Sequence, residues 1–400
     1  METVRIGVIG LGNRGTDLIR TSLLTLPYVK ITAVCDLYED RVQKVLDLLS
    51  DKTDDVLGYT DYQELLSSGR VDAVIIATAW ETHLPITCAA LEAGIAVGCE
   101  VGGAYSLDDC YRLIETWERT KTPYMMLENC NYNRRETCLF AMIKAGIFGK
   151  IVACDGGYMH DLRAEVAGGE RNRHYRQRNY INRCGENYPT HELGPIMQML
   201  DINRGNRMVS LVSVASGAFG LEAYMQDKDK ENPLLHQRIA QGDIITTVIT
   251  CARGETITLR LDTTLPRYYS RGLAVHGTKA LYTECNNTLF LGDEHEAYDF
   301  KAYELWDNFK EYSKDYRNAD WCEADDGLIV GGHGGMDYFM MRDFITRLMK
   351  GESFRTDVYD AAAMMCITPL SEESIAKGGA PVAIPDFTRG MFLLRKAEEN

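Results

Sequence analysis

No pair of cysteines stands at CxxC spacing, although 12 are spread along the 400 residues. Isolated cysteines in apolar runs, such as Cys35 in ITAVCD, behave as small core residues. Neither a disulfide scaffold nor a cysteine metal site is expected, and reduced thiols in a cytoplasmic setting are. No apolar run reaches the roughly 18 residues that a membrane span needs. No basic segment with a cleavage site precedes the strand-like run starting at Val4, which argues against an export signal in the chain as it stands, though a trimmed leader would leave no trace. Positive charge is in deficit: 43 Lys and Arg face 58 Asp and Glu, a formal net charge of -15. Such a surface repels phosphate backbones and anionic lipid, so nucleic acid and membranes are not expected partners. HExxH and HxxxH are missing, and His191-Glu192 lacks a second histidine, so no metal site is expected. Repeats, linkers and low-complexity runs are absent too. What remains is a folded chain, 45% hydrophobic, long enough for two cores.

From Val4 to Leu127, short apolar runs alternate with amphipathic stretches. VRIGVIG, ITAVCD, VDAVIIAT, IAVGCEV and PYMML read as strands. Near-continuous apolar strands are typical of a parallel sheet buried on both faces. DRVQKVLDLLSD and PITCAALEAG between them read as helices, the second stopped by Gly94. Repeated βαβ units imply an α/β doubly wound parallel sheet over residues 1–130. The pattern then changes. RRETCLFAMIKAG reads as a helix and KIVACDGGYM as a strand, followed by a long polar, arginine-rich stretch from His160 to Gly185 with little periodicity. THELGPIMQMLD reads as a helix. RMVSLVSVA, DIITTVITCA, ETITLRLDTT, GLAVHG and KALYTE read as strands in series, which predicts an open, mostly antiparallel sheet in an α+β second domain over 131–400. The closing helical runs DYFMMRDFITRLMKG and DVYDAAAMMCITPLSEESIAKG have two options, this domain or a return onto the first.

The first strand leads into Gly10-Leu11-Gly12-Asn13-Arg14-Gly15 and then a helical run. This GxGxxG lies between strand and helix, the context its physics requires. Gly10 permits the tight turn, Gly12 lets backbone approach a pyrophosphate, and Gly15 lets helix and strand pack closely. The helix N-terminus offers N–H donors and partial positive charge to the anion. Asp36 ends the second strand, 21 residues after Gly15. A carboxylate there accepts from ribose hydroxyls and repels a 2′-phosphate, which favours NAD over NADP. The loop Thr78-Ala79-Trp80-Glu81-Thr82-His83, then Glu100-Val101 and Asn129, follow later strands and are expected to flank the cofactor, because ligands of open α/β sheets bind beyond the carboxyl ends of strands.

GLGNRG, Asp36, the TAWETH segment and Glu100 together resemble the glucose–fructose oxidoreductase/inositol dehydrogenase family, over nearly the whole chain. The resemblance implies a Rossmann domain and a second domain whose open sheet carries the substrate. Members typically carry Glu-Lys-Pro after the fourth strand, with the lysine serving proton transfer; here the positions read Glu100-Val101-Gly102. A narrower match lies in Asn129-Cys130-Asn131-Tyr132, Asn187-Tyr188-Pro189-Thr190-His191 and Gly332-His333-Gly334-Gly335-Met336-Asp337. These resemble the motifs of glycoside hydrolase family 109, NAD-dependent α-N-acetylgalactosaminidases whose Glu motif also lacks the lysine. This sequence departs from them at Gly102 and Gly103, where proline and a small residue are expected.

That resemblance implies an elimination route, an exception to paired-carboxylate glycosidases. NAD takes hydride from C3 of the sugar, a base removes the acidified C2 proton, the aglycone leaves C1, water adds, and hydride returns to C3. Tyr188 and His191 are the expected proton carriers, three apart at the start of a helix and able to share a face, and are expected to border the cofactor too. Tyr158, Arg176, Tyr269 (with Tyr268 as the adjacent competitor) and His333 are expected to bind the sugar along with them. A homo-oligomer is expected by resemblance. The alternative is a sugar or inositol dehydrogenase with net NADH production, and a third reading is a catalytically silent NAD-binding sensor.

Overall fold

A computed structural model describes residues 3–169, 171–298, 300–325 and 331–396. The chain divides into two compact units, Met1–Arg134 with Ala319–Ala362, and Arg135–Asn318 with Ala363–Asn400.

In the first unit β1 (Val4–Ile9), β2 (Val29–Cys35), β3 (Leu57–Tyr59), β4 (Ala73–Ile76), β5 (Ala96–Cys99) and β6 (Tyr124–Met126) form a parallel sheet in the order β3-β2-β1-β4-β5-β6. The direction of winding reverses between β1 and β4, and the carboxyl ends of those strands open the crevice in which doubly wound sheets bind nucleotides. The apolar run of β1 and all of β4 are buried, as strands covered on both faces must be. One cover comes from late in the sequence. Helix Met336–Lys350 lays Phe339, Met340 and Phe344 on a core with Val4, Ile6 and Val8. β3 escapes the periodicity argument because it has three residues and an exposed Leu57.

Residues Trp80 to His83 are not a loop, as expected, but the first turn of helix Trp80–Glu92. Pro85 reads as a helix start, since proline suits a first turn. Here the helix begins five residues earlier, after an extended Ala79, and runs through Pro85.

The second unit holds β7 (Ile151–Met159), β8 (Met208–Ala215), β9 (Ile244–Cys251), β10 (Thr256–Asp262), β11 (Ala274–Gly277), β12 (Ala280–Thr283), β13 (Thr288–Leu291) and β14 (Val382–Ala383). They form one sheet ordered β13-β12-β11-β7-β10-β9-β8-β14, antiparallel at every step except β7–β10. The sheet is therefore mixed and mostly antiparallel. The polar stretch after β7 has more order than its sequence suggests: it contains helices Arg163–Ala167 and Arg176–Asn182 and buries Leu162, Val166 and Tyr180 with Tyr158 and Ile245. Eight of the 12 cysteines are buried and none is bridged, as expected of core thiols. Among the described residues no helix is long and apolar enough to cross a membrane.

β7 carries a glycine pair before Tyr158. Gly157 has φ 152°, and a Cβ there would lie 2.0 Å from the Arg260 carbonyl oxygen on the parallel neighbour. Gly157→Ala is expected to destabilise by about 2–4 kcal/mol, because the atoms it meets are Arg260 backbone, which cannot swing aside as a side chain would. Gly254→Ala, also at positive φ but with nothing within 4 Å, should cost only about 1–2 kcal/mol. Chemical denaturation of the two variants checks the ordering.

Candidate active site

The glycine turn fits a dinucleotide. Gly10 has φ 97°, and a Cβ on Gly15 would meet the Gly10 carbonyl oxygen at 1.9 Å, so the chain itself requires both glycines. Gly12 differs: a Cβ there would touch only Arg41 Nη1, at 3.8 Å. The chain leaves its surface bare, as a close-approaching pyrophosphate demands. Asn13 opens helix Asn13–Thr21, whose first N–H groups have no partner within the helix. Asp36 is buried beneath the turn, its Oδ2 accepting from Leu11 N at 2.7 Å and its Oδ1 from Tyr38 N at 3.0 Å. It thus orders the turn as well as offering a carboxylate to a ribose.

Arg14, Glu100, Asn129 and His333 come together in the first unit around Asp337, which is not among the expected site residues. Arg14 Nε donates to Glu100 Oε1 at 2.7 Å, and Nη1 and Nη2 donate to the two Asp337 oxygens at 2.6 and 2.9 Å. Asn129 Nδ2 donates to Asp337 Oδ1 at 2.8 Å, and His333 Nδ1 lies 2.7 Å from Asp337 Oδ2. Asp337 is 1% exposed, on the first turn of helix Met336–Lys350. Burial opposes its charge, but the His333 hydrogen bond and the Arg14 guanidinium hold it well below the usual carboxylate range. Burial likewise opposes the Arg14 charge, and Glu100 and Asp337 outweigh it, so Arg14 stays above its ordinary value. The His333 hydrogen bond to Asp337 raises that imidazole above its usual value. His333 itself remains 56% exposed, with a left-handed backbone at φ 49°. An imidazole whose Nδ1–H is taken by a buried carboxylate presents Nε2 for proton transfer. The signal for Asp337 was present in the motif, four residues after His333.

Gly102 and Gly103 explain their own departure from the family pattern. Their φ angles are 83° and 114°, and added Cβ atoms would lie 2.7 Å from Trp80 Nε1 and 2.8 Å from His83 Cβ. Trp80 is buried against this turn. His83, also buried, places Nε2 3.1 Å from the Thr78 carbonyl and Nδ1 3.4 Å from that of Gly102, and burial lowers its pKa. His83 is therefore occupied by backbone. Glu81 and Thr82 lie beside it on the same turn; Thr82 Oγ1 donates to Ala79 O at 2.8 Å. Val101 is 3% exposed.

The second unit gathers Tyr158, Arg176, Tyr188, His191 and Tyr269. The Tyr188 hydroxyl and His191 Nε2 are 3.1 Å apart, a direct hydrogen bond at the start of helix Thr190–Met199. Tyr158 stacks on Tyr188 with centroids 4.3 Å apart and meets His191 edge-on at 5.5 Å. Tyr269, half-exposed, closes on Tyr158 at 6.2 Å, whereas Tyr268 points away, 74% exposed. The Arg176 guanidinium lies 5.1 Å over the Tyr188 ring and pairs with Glu165 at 3.1 Å. Such cation–π and aromatic contacts hold rings at fixed angles. His160 joins unexpectedly: its Nδ1 is 2.9 Å from the Tyr158 hydroxyl, and burial, helped by Arg176, lowers its pKa. His160 and Glu165 were hidden in the polar stretch that showed no periodicity.

Two carboxyls flank the Tyr188–His191 pair in sequence. Glu186 is buried, which pushes its pKa up to about 8 although the Tyr188 N–H pulls the other way. Glu192 is also buried and raised, chiefly by burial, with Arg271 Nε 3.2 Å away. Arg271 bridges it to Glu136.

Residues 4–127 match the model of the oxidoreductase family with an NAD-binding Rossmann fold, and residues 132–394 match the glycosyl hydrolase 109 C-terminal domain. NAD is accordingly the cofactor. A glycosyl hydrolase family 109 protein of Stenotrophomonas maltophilia is 36% identical, covering 98% of this chain and 91% of its own. A Tannerella forsythia protein named alpha-N-acetylgalactosaminidase is 35% identical, covering 98% of this chain and 88% of its own. Levoglucosan dehydrogenase in complex with NADH has a TM-score of 0.70 at 17% identity, and myo-inositol 2-dehydrogenase from Lactobacillus plantarum 0.69 at 16%, each covering 96% of this chain and 100% of its own; at that identity the likeness is one of fold. With the C-terminal model spanning most of the chain and near full-length relatives above 30% identity, the protein belongs to glycosyl hydrolase family 109.

Proposed function

We infer that this chain is an NAD-dependent glycosidase that releases the aglycone of an α-N-acetylgalactosaminide, or of a closely related glycoside, with no net change in cofactor redox state. One observation carries the reading: the chain holds two proton-handling imidazole sites, Tyr188–His191 and His333–Asp337, while a buried Val101 stands beside Glu100. A net dehydrogenase needs to move only one hydroxyl proton. Elimination and readdition across a glycosidic bond also require a base at a ring carbon and an acid at the departing oxygen.

The bound nicotinamide supplies hydride acceptance from a ring carbon and its return within one turnover. His191 takes and returns the proton of the hydroxyl being oxidised. Tyr188, held against His191 and stacked on Tyr158, exchanges the proton at the adjacent carbon, which the new carbonyl has acidified. His333, aimed by Asp337, serves the glycosidic oxygen. Tyr269 and Tyr158 offer ring faces and edges to the sugar, and Arg176 keeps Tyr188 in place while offering N–H groups to sugar oxygens. Gly10, Gly12, Asn13 and Gly15 receive the pyrophosphate, Asp36 the ribose, and the turn around Trp80, Glu81, Thr82 and His83 lines the crevice with Val101 and Asn129.

A chromogenic α-N-acetylgalactosaminide read in two channels tests this. The wild type should release aglycone with no accumulating NADH. Tyr188→Phe, His191→Ala and His333→Ala should each lower kcat/KM by about 10²–10⁴-fold. Steady NADH formation from free sugar, with no aglycone released, would sink the reading in favour of a dehydrogenase.

The buried Glu186 gives a stability prediction. Its folded pKa of about 8 lies above the ordinary value near 4.3, so its contribution is fully present below about pH 4.3 and is lost as pH rises through 8. Glu186→Gln should flatten the fall in stability across that window and leave the variant about 2–4 kcal/mol more stable than wild type at pH 7.5, at 1.36 kcal/mol per pH unit. Denaturant titrations at several pH values check it, and parallel slopes for the two proteins would refute it.

A further inference from the structure

The main chain of Arg14 belongs to the glycine turn, but its side chain is committed elsewhere. Nε, Nη1 and Nη2 all bond to carboxylates, Glu100 on one side and both oxygens of Asp337 on the other. A planar fork gripping two oxygens fixes the rotation of a carboxylate, which a point charge cannot do. The Asp337 oxygen that meets Arg14 Nη1 is also the one that meets His333 Nδ1. Arg14 Nη1 also lies 3.2 Å from His333 Nδ1 itself, so the one guanidinium bears on the exposed imidazole both through the buried carboxylate and by direct contact.

We propose that Arg14 is a positioning residue: it locks the Asp337 carboxylate that aims His333, and through its own backbone it ties that pair to the turn that receives the dinucleotide. Gly12–Gly15 cannot shift without moving the Arg14 Cα, so seating of the pyrophosphate and alignment of the imidazole are one mechanical event. The charged groups facing His333 are Asp337, Glu100 and Arg14. The two carboxylates favour its protonated form and Arg14 opposes it. Removing the guanidinium leaves the carboxylates unopposed and the imidazole harder to deprotonate.

The proposal rests on the glycosidase reading only for its kinetic arm. The structural arm is the proton NMR titration of the His333 Cε1–H, assigned as the resonance lost in His333→Gln. In Arg14→Gln the midpoint should rise by about one pH unit or more, and the corresponding limb of the kcat/KM profile should move with it. In Arg14→Lys, which keeps the charge but loses the fork, the midpoint should stay near that of wild type while kcat falls at least about 10-fold with KM little changed. An unmoved His333 midpoint in folded Arg14→Gln overturns the proposal, and so does full kcat in Arg14→Lys. If Arg14→Gln does not fold, the lysine variant decides the matter alone. A wild type that releases no aglycone would sink the glycosidase reading and leave the titration standing.

Discussion

A carboxylate shut away from water survives as a charge only where partners replace its hydration, and Asp337 is such a group. Arg14, Asn129 and His333 all bond to it, and each comes from a different part of the first unit. Helix Met336–Lys350 must lie on the parallel sheet for the carboxylate to reach them, and its apolar face of Phe339, Met340 and Phe344 puts it there. The electrostatic requirement and the packing requirement thus select the same placement. Asp337 is 1% exposed, so the loss of any one partner leaves part of its charge uncompensated where water does not reach.

The second unit solves a different problem with different means. Its cluster is made of rings, whose attraction depends on angle and offset more than on charge. Tyr158 touches Tyr188, His191, His160 and Tyr269, which makes the end of β7 the hub. Beneath it, Glu192 crosses the strand at Gly156, where a Cβ would sit 2.2 Å from its Cγ, and reaches Arg271, two residues past Tyr269. A polar tether inside the unit therefore joins the helix bearing His191 to the loop bearing Tyr269.

Local chemistry was legible in the sequence. The β1–helix turn could be read because Gly10 and Gly15 answer to close backbone contacts and Gly12 is left bare for a ligand, and β1, β2, β4 and β5 because burial on both faces leaves unbroken apolar runs. The pairing of Tyr188 with His191 was legible because three residues apart on a helix is a spatial statement. The edge strands β3 and β14 were not, since three and two residues leave no period to detect. The Trp80 turn was obscured by Pro85, which looked like a beginning. Arg14 and Asp337 are 323 positions apart, and no pattern in either neighbourhood announces the other. His160 was lost in an arginine-rich stretch whose order comes from tertiary contacts with Tyr158 and Tyr180 and not from amphipathic spacing.

The turn after Glu100 also restricts which residues it can hold. Proline, whose ring holds φ near −65°, has no place at residue 102, where φ is 83° and the Trp80 indole fills the space a side chain would need. A lysine at 101 would have to bury its ammonium where valine is 3% exposed. Reacquiring a dehydrogenase-type motif would therefore demand several simultaneous replacements, Trp80 among them, with each single step disfavoured. Backbone and indole thus hold each other in place: a side chain added at residue 102 meets Trp80 first.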